Sequence, residues 1–176
     1  MHNVEYKAEL RDLPMARAAC RSAGAAFIAE LEQTDTYFRV PSGRLKRREC
    51  AGEPTEWIFY DRRDEARPRL SCFTIYSDAQ ARERFGVAPL PELVVVRKRR
   101  ELHLLNNVRI HLDHVERLGR FIEFEAFVSP GFPVAACHAA VDRLRTLLAP
   151  ALGEPLSGSY ADLLLQELRT APGRAN

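Results

Sequence analysis

Apolar and polar residues alternate along much of this chain, and the alternation is strictest at its start. Val4, Tyr6, Ala8 and Leu10 fall on one face of an extended strand, and Asn3, Glu5, Lys7 and Glu9 on the other. Residues 26–32 form a second strand that runs into Gln33-Thr34-Asp35-Thr36-Tyr37-Phe38-Arg39-Val40, a run rich in Thr and aromatic strand formers. Pro41-Ser42-Gly43 makes a tight turn into a returning strand over 44–49. Further strands are predicted over 56–62, 70–76, 93–105, 108–115 and 121–128. Helical signals are fewer. Asp12 and Pro14 open a short Ala-rich helix over 15–23 that Gly24 ends, and Asp78 caps a helix over 79–85 that Gly86 ends. Residues 135–148 and 160–168 carry helical spacing, residues 153–155 read as a loop, and 170–176 as a disordered tail. Eight or nine strands joined mostly by hairpins, with helices near the start, middle and end, predict one α+β domain over 1–169 built on an antiparallel, barrel-like sheet.

The polar faces of these strands are ionic. Lys46 and Arg48 share one side of their strand, and Arg62 shares a parity with Ile58 and Tyr60. Lys98 and Arg100 lie with Val94 and Val96, leaving Val95, Arg97, Arg99 and Glu101 opposite. Arg109, His111 and Asp113 oppose the apolar set Val108, Ile110, Leu112 and Val115. Glu123 and Glu125 share a face with Phe121 and Phe127, against Ile122, Phe124, Ala126 and Val128. Taken singly, each face is what a half-exposed antiparallel sheet shows to water. Taken together they separate by sign, acidic on the first and last strands and basic on the middle ones, with few Ser or Thr among them. Their opposite faces are apolar enough to pack against helices, which turns the ionic faces toward the inside of a closed sheet. A closed eight-stranded barrel has room for a small ligand, and charges enclosed there must be paired, metal-bound or hydrated. Glu123 and Glu125, two residues apart on a strand, hold their Cβ atoms about 7 Å apart and repel unless a cation lies between them. Such oxygen donors suit Mg²⁺ or Mn²⁺, which take further ligands from phosphates, and Lys and Arg are the usual phosphate partners.

Composition narrows the choice without changing it. The 176 residues are 46% hydrophobic and 28% charged, with a net charge of +2, which is no basic coat for a nucleic acid. Arg97-Lys98-Arg99-Arg100 is split between two faces by alternation. No run long enough to span a membrane and no signal-peptide core is present, and four widely separated cysteines suit reduced thiols, so a cytoplasmic location is expected. Neither a G-x-x-x-x-G-K-[ST] loop nor a G-x-G-x-x-G turn occurs. His111 is either a ligand or base or a hydrogen-bonded filler; His2, His103, His114 and His138 form no metal spacing.

The ordered set of these residues resembles the CYTH superfamily, the triphosphate tunnel enzymes that include class IV adenylyl cyclases, thiamine triphosphatases and inorganic triphosphatases. The family's opening Glu-x-Glu-x-Lys is matched by Asn3-Val4-Glu5-Tyr6-Lys7, its tyrosine-bearing strand by Thr34-Asp35-Thr36-Tyr37-Phe38, and its paired basic residues by Lys46 with Arg48 and Lys98 with Arg100. Arg109 and Asp113 match its later Arg and Asp, Glu123 and Glu125 its closing Glu-x-Glu, and Gly158-Ser159-Tyr160-Ala161-Asp162-Leu163-Leu164 its C-terminal helix start. The resemblance implies a closed eight-stranded antiparallel tunnel with flanking helices, holding a small-molecule triphosphate and a divalent metal, Mg²⁺ or Mn²⁺. It implies metal ligation by Glu5, Glu123 and Glu125 with Asp113 nearby. Phosphate contacts would come from Lys46, Arg48, Arg62, Lys98, Arg100 and Arg109, and Lys7 would act in catalysis at the phosphate or the nucleophile. The departure is Asn3, a neutral amide where the family carries a carboxylate. Cyclisation of a nucleoside triphosphate and triphosphate hydrolysis are both implied, with the long strand and its flanks most like the cyclase branch. A non-catalytic binder of nucleotide or polyphosphate is the alternative. A monomer or homodimer without nucleic-acid or membrane partners is expected.

Overall fold

Strand pairing in the computed structural model, which describes residues 1–62 and 64–170, closes on itself. The elements in chain order are β1 (His2–Leu10), α1 (Leu13–Ser22), β2 (Ala26–Phe38), β3 (Arg44–Cys50), β4 (Glu56–Asp61), β5 (Arg69–Tyr76), α2 (Asp78–Phe85), β6 (Glu92–Leu105), β7 (Val108–Val115), β8 (Gly119–Phe127), α3 (Val134–Leu148), β9 (Leu152–Pro155) and α4 (Tyr160–Thr170). The sheet order is β5-β4-β3-β2-β6-β7-β8-β1-β9, and β1 also pairs with β5. Residues His2 to Glu5 of β1 pair with β5, while Ala8 and Leu10 pair with β9, so one short strand both seals an eight-stranded antiparallel barrel and carries a ninth. The expected α+β closed barrel with flanking helices is therefore observed. Among the described residues, no helix is long and apolar enough to cross a membrane.

Closure gives the sheet an inside and an outside, and alternation assigns residues to each. Val4, Tyr6, Ala8 and Leu10 of β1 join Val108, Ile110 and Leu112 of β7 and Ile122, Phe124 and Ala126 of β8 in one outer core. Ala16 and Cys20 of α1 and Val141, Leu144 and Leu148 of α3 cover it. Each fully buried Val or Leu there contributes about 1.5–3 kcal/mol relative to exposure. A second cluster lies within the barrel, where Tyr37, Val96, Val115 and Phe121 pack with Tyr160, Ala161 and Leu164 of α4.

Several details differ from the sequence reading. Val115 belongs to the inner cluster, because its odd parity on β7 matches Asp113 rather than Leu112. Residues 26–38 are one continuous strand. Ser77, not Asp78, caps α2, accepting from the Gln80 amide in a capping box while Asp78 starts the helix. The predicted loop at 153–155 lies within β9. Helix α4 runs through Thr170, and residues 171–176 of the expected tail lie outside the described residues. At the β2–β3 turn Gly43 has φ +67°, and a Cβ built on it would lie 2.6 Å from the Phe59 ring. Only glycine fits that position without strain.

Candidate active site

Cross-strand register decides which inward side chains meet. Glu123 on β8 stands opposite Lys7 on β1 and His111 on β7, and Glu125 stands opposite Glu5 and Arg109. Arg100 on β6 faces Asp113 on β7, and Asp35 on β2 faces Arg48 on β3. Between them lies a cavity of about 200 Å³. Its lining includes Glu5, Lys7, Lys46, Arg48, Arg62, Lys98, Arg100, Arg109, Glu123 and Glu125, with Asn3 and Tyr160. Every residue that the resemblance gave a metal, phosphate or catalytic role lines this cavity except Asp113, and His111, left open in the sequence, lies outside the lining as well. A larger cleft of about 780 Å³ opens outside the barrel near α3 and shares Arg62, but its lining has none of the paired glutamates.

The basic half is organised by a residue the sequence reading did not assign. Asp35, 1% exposed, accepts from Lys46 Nζ at 3.0 Å, Arg48 Nε at 2.8 Å and Lys98 Nζ at 2.5 Å. Burial alone would raise its carboxyl, but the surrounding Arg48, Lys46 and Lys98 hold it well below the usual carboxylate range. One carboxylate cannot neutralise three cations. Burial, with the Arg48 guanidinium adding to it and Asp35 opposing, lowers Lys46 to about 8. Burial and the neighbouring Arg48, Arg100 and Lys46 lower Lys98 to about 7, despite Asp35.

On the acidic side each carboxylate has a different environment. Asp113 is fully engaged: both oxygens accept from Arg100 at 2.7 Å, and the Tyr160 hydroxyl donates to Oδ2 at 2.7 Å. It holds Arg100 in place rather than facing the cavity. Glu123 contacts Lys7 Nζ at 3.2 Å and Arg100 Nη2 at 2.9 Å, and these cations with His111 overcome the effect of burial to keep its carboxyl far down. Lys7 Nζ also lies 3.9 Å from the centre of the Tyr160 ring. Glu5 lies 2.8 Å from Arg62 Nε and 3.0 Å from Arg69 Nη2. Burial, reinforced by Glu123, still raises the Glu5 carboxyl against Arg62. Glu125 makes no ion pair or hydrogen bond among the described residues. Asn3 is 3% exposed, and its Oδ1 has no hydrogen-bond partner.

A divalent cation fits this acidic wall. Donor atoms of His111, Glu123 and Glu125 all lie within 4.8 Å of one another, a span that a shared ion about 2.0–2.2 Å from each donor closes with small rotations. Neither Glu5 nor Asp113 belongs to that group. Sequence reasoning thus missed Asp35, Arg69 and Tyr160 and left His111 unassigned. Parity alone could have placed Asp35 inside, with Gln33 and Tyr37; Arg69 fell one residue before the predicted strand, and nothing in a helical pattern announces that Tyr160 enters a barrel.

The CYTH domain family model matches residues 1–133. No curated protein matches the sequence. Among solved structures, a candidate adenylate cyclase from Vibrio parahaemolyticus is 18% identical with a TM-score of 0.69, the alignment covering 94% of this chain and 98% of that one. The PH1012 protein of Pyrococcus horikoshii is 23% identical with a TM-score of 0.64, covering 92% and 98%. The Hippeastrum protein HpAC1, a candidate adenylyl cyclase described as having a dominant triphosphatase activity, is 12% identical with a TM-score of 0.59, covering 99% and 100%. At these identities the likeness is one of fold.

Proposed function

The chain belongs to the CYTH domain family, and on that premise we propose that it is a divalent-metal-dependent enzyme that acts on a triphosphate held inside the barrel. One observation carries the reading. Lys46, Arg48 and Lys98 share the single carboxylate of Asp35, and this buried surplus of positive charge faces the glutamates of β8 across the tunnel. Such a surplus is costly when empty and is relieved by a polyanion. Lys46, Arg48 and Lys98 grip phosphate oxygens, Arg100 does so from a side chain fixed by Asp113, and Arg62 and Arg109 bind further along the wall. Glu123 and Glu125, with Glu5 alongside, would hold Mg²⁺ or Mn²⁺, which when bound supplies charge neutralisation at the phosphates. Lys7 stands where the acidic wall meets the substrate and orients the nucleophile or the phosphate it attacks. Asp113 acts as a positioning residue for Arg100.

Hydrolysis of the terminal phosphate is the chemistry the cavity supports best. At about 200 Å³ the tunnel is below the roughly 300–1,000 Å³ of pockets that enclose whole drug-sized ligands, so it suits a phosphate chain with any organic part outside. Water oxygen would add to the terminal phosphorus and the bond to the bridging oxygen would break, releasing orthophosphate. The second reading is cyclisation, in which a ribose 3′-hydroxyl attacks the α-phosphorus and pyrophosphate leaves; the name carried by the Vibrio structure motivates it. Incubation with Mg²⁺ or Mn²⁺ and tripolyphosphate, thiamine triphosphate or ATP separates them. Orthophosphate supports hydrolysis and cyclic AMP supports cyclisation. Tight triphosphate binding without turnover under any metal would establish the non-catalytic alternative instead.

A further inference from the structure

The acidic wall contains a nitrogen donor that a purely carboxylate site does not need. His111 is 4% exposed, and its Nδ1 has no hydrogen-bond partner. The nearest carboxylate oxygen, Glu123 Oε2, is 3.5 Å away, outside the range of a normal N–H to oxygen bond. A buried polar nitrogen left without a partner costs about 1–3 kcal/mol unless something outside the chain satisfies it. A carboxylate oxygen of Glu125 lies within 4.8 Å of donor atoms of both His111 and Glu123, and Glu125 lacks an ion pair among the described residues. A buried nitrogen without a partner and a half-buried, unpaired carboxylate on neighbouring strands therefore converge with Glu123.

We propose that His111, Glu123 and Glu125 form a mixed nitrogen–oxygen site that selects a divalent transition-metal ion, of the Co²⁺ or Zn²⁺ class, over Mg²⁺. Mg²⁺ is a hard ion that favours oxygen ligands and dehydrates reluctantly, so an imidazole in its inner shell is a poor exchange for water. Ions later in the first transition row bind imidazole well. Two carboxylates and one neutral imidazole balance a dication and leave coordination positions open for phosphate oxygens, so selectivity and substrate binding use different ligands. Asn3 bears on the same choice: a neutral amide in this tunnel lowers the negative charge that would favour a hard ion. This inference rests on the reading of the tunnel as a metal-dependent triphosphate site.

Metal binding to the full chain, without any triphosphate, tests it. Co²⁺ titration followed by visible absorption, and calorimetric titration with Zn²⁺ and Mg²⁺, should show Co²⁺ and Zn²⁺ bound at least about tenfold tighter than Mg²⁺. His111→Gln should lose about tenfold or more in Co²⁺ and Zn²⁺ affinity, the least that even supporting residues cost at metal sites, with Mg²⁺ affinity unchanged. His111→Asp, an all-oxygen site, should lower the Co²⁺-to-Mg²⁺ affinity ratio and keeps the test alive should the glutamine variant misfold. An unchanged ratio in both folded variants, or no preference in the parent protein, overturns the proposal. Tripolyphosphate binding to the metal-free protein, which depends on Lys46, Arg48 and Lys98, is measured alongside. Its absence would sink the triphosphate reading, whereas an unchanged metal ratio with triphosphate binding intact would sink only the role of His111.

Discussion

Arg100 and Asp113 are joined across β6 and β7 by two parallel hydrogen bonds of 2.7 Å, and the same guanidinium reaches Glu123 at 2.9 Å. The pair is buried, with Asp113 2% exposed. Such a fork makes Arg100 a rigid donor, pre-aimed at one edge of the acidic wall.

Replacing Asp113 by Ala should therefore damage stability and chemistry together. Removing one partner of a buried ion pair costs about 3–5 kcal/mol, and the variant should show that loss in urea unfolding. Tyr160→Phe, which removes only the hydroxyl donated to Asp113, should cost about 1 kcal/mol. Equal stability of Asp113→Ala and the parent would refute the positioning role.

Asp35→Asn makes the opposite kind of error, leaving Lys46, Arg48 and Lys98 to repel one another. The variant should lose several kcal/mol at low ionic strength, about 3–5 by the same reasoning. Tripolyphosphate should restore more of its melting temperature than it adds to the parent, because the ligand supplies the missing negative charge. Equal thermal shifts in the two proteins would contradict the idea of a shared charge surplus.

The lysines set a pH dependence. Burial is the largest cause that brings Lys98 from 10.5 to about 7 and Lys46 from 10.5 to about 8. Between those values and 10.5 the unfolded chain binds more protons than the folded one, so the ligand-free protein should gain stability as pH rises through that window. Polyanion affinity should move the other way, weakening above pH 7 as the ammonium charges are lost. Comparing metal-free tripolyphosphate binding in the parent and in Lys98→Met from pH 6 to pH 9 removes the ligand's own ionisation, and the variant should show the shallower dependence.

Glu125→Gln should separate chemistry from folding. With no ion pair to lose among the described residues, its melting temperature should match the parent within error. Metal-dependent turnover should fall by about 100-fold or more, since supporting residues at metal sites alone cost 10–100-fold. Turnover equal to the parent would remove Glu125 from the metal site.

Strand parity made most of the tunnel wall legible from the sequence. Lys7, Glu123 and Glu125 lie on strands that alternate without interruption, and the structure turns them inward with Arg48 and Lys98 from the middle of the chain. Parity names a face and not a partner. Asp113 was placed on the correct face of β7, yet its engagement by Arg100 and Tyr160 depends on an adjacent strand and a distant helix. Asp35 escaped notice for the same reason, since its three cations come from β3 and β6 and only the barrel's register gathers them. The four residues of β9 are too short for a periodic signal, and they form a strand only because β1 offers an open edge there.

That edge also gives the barrel an order of assembly. β1 precedes the other strands of this barrel in the chain, yet its neighbours in the closed sheet are β5 and β8, so it must wait until Phe127 has been made before both sides are paired. Contacts between such distant segments form slowly and late. A nascent chain carries Glu5 and Lys7 long before Glu123 and Glu125 exist to meet them. Cation uptake would then report the moment of closure, and a ligand arriving earlier would find only half of its cage.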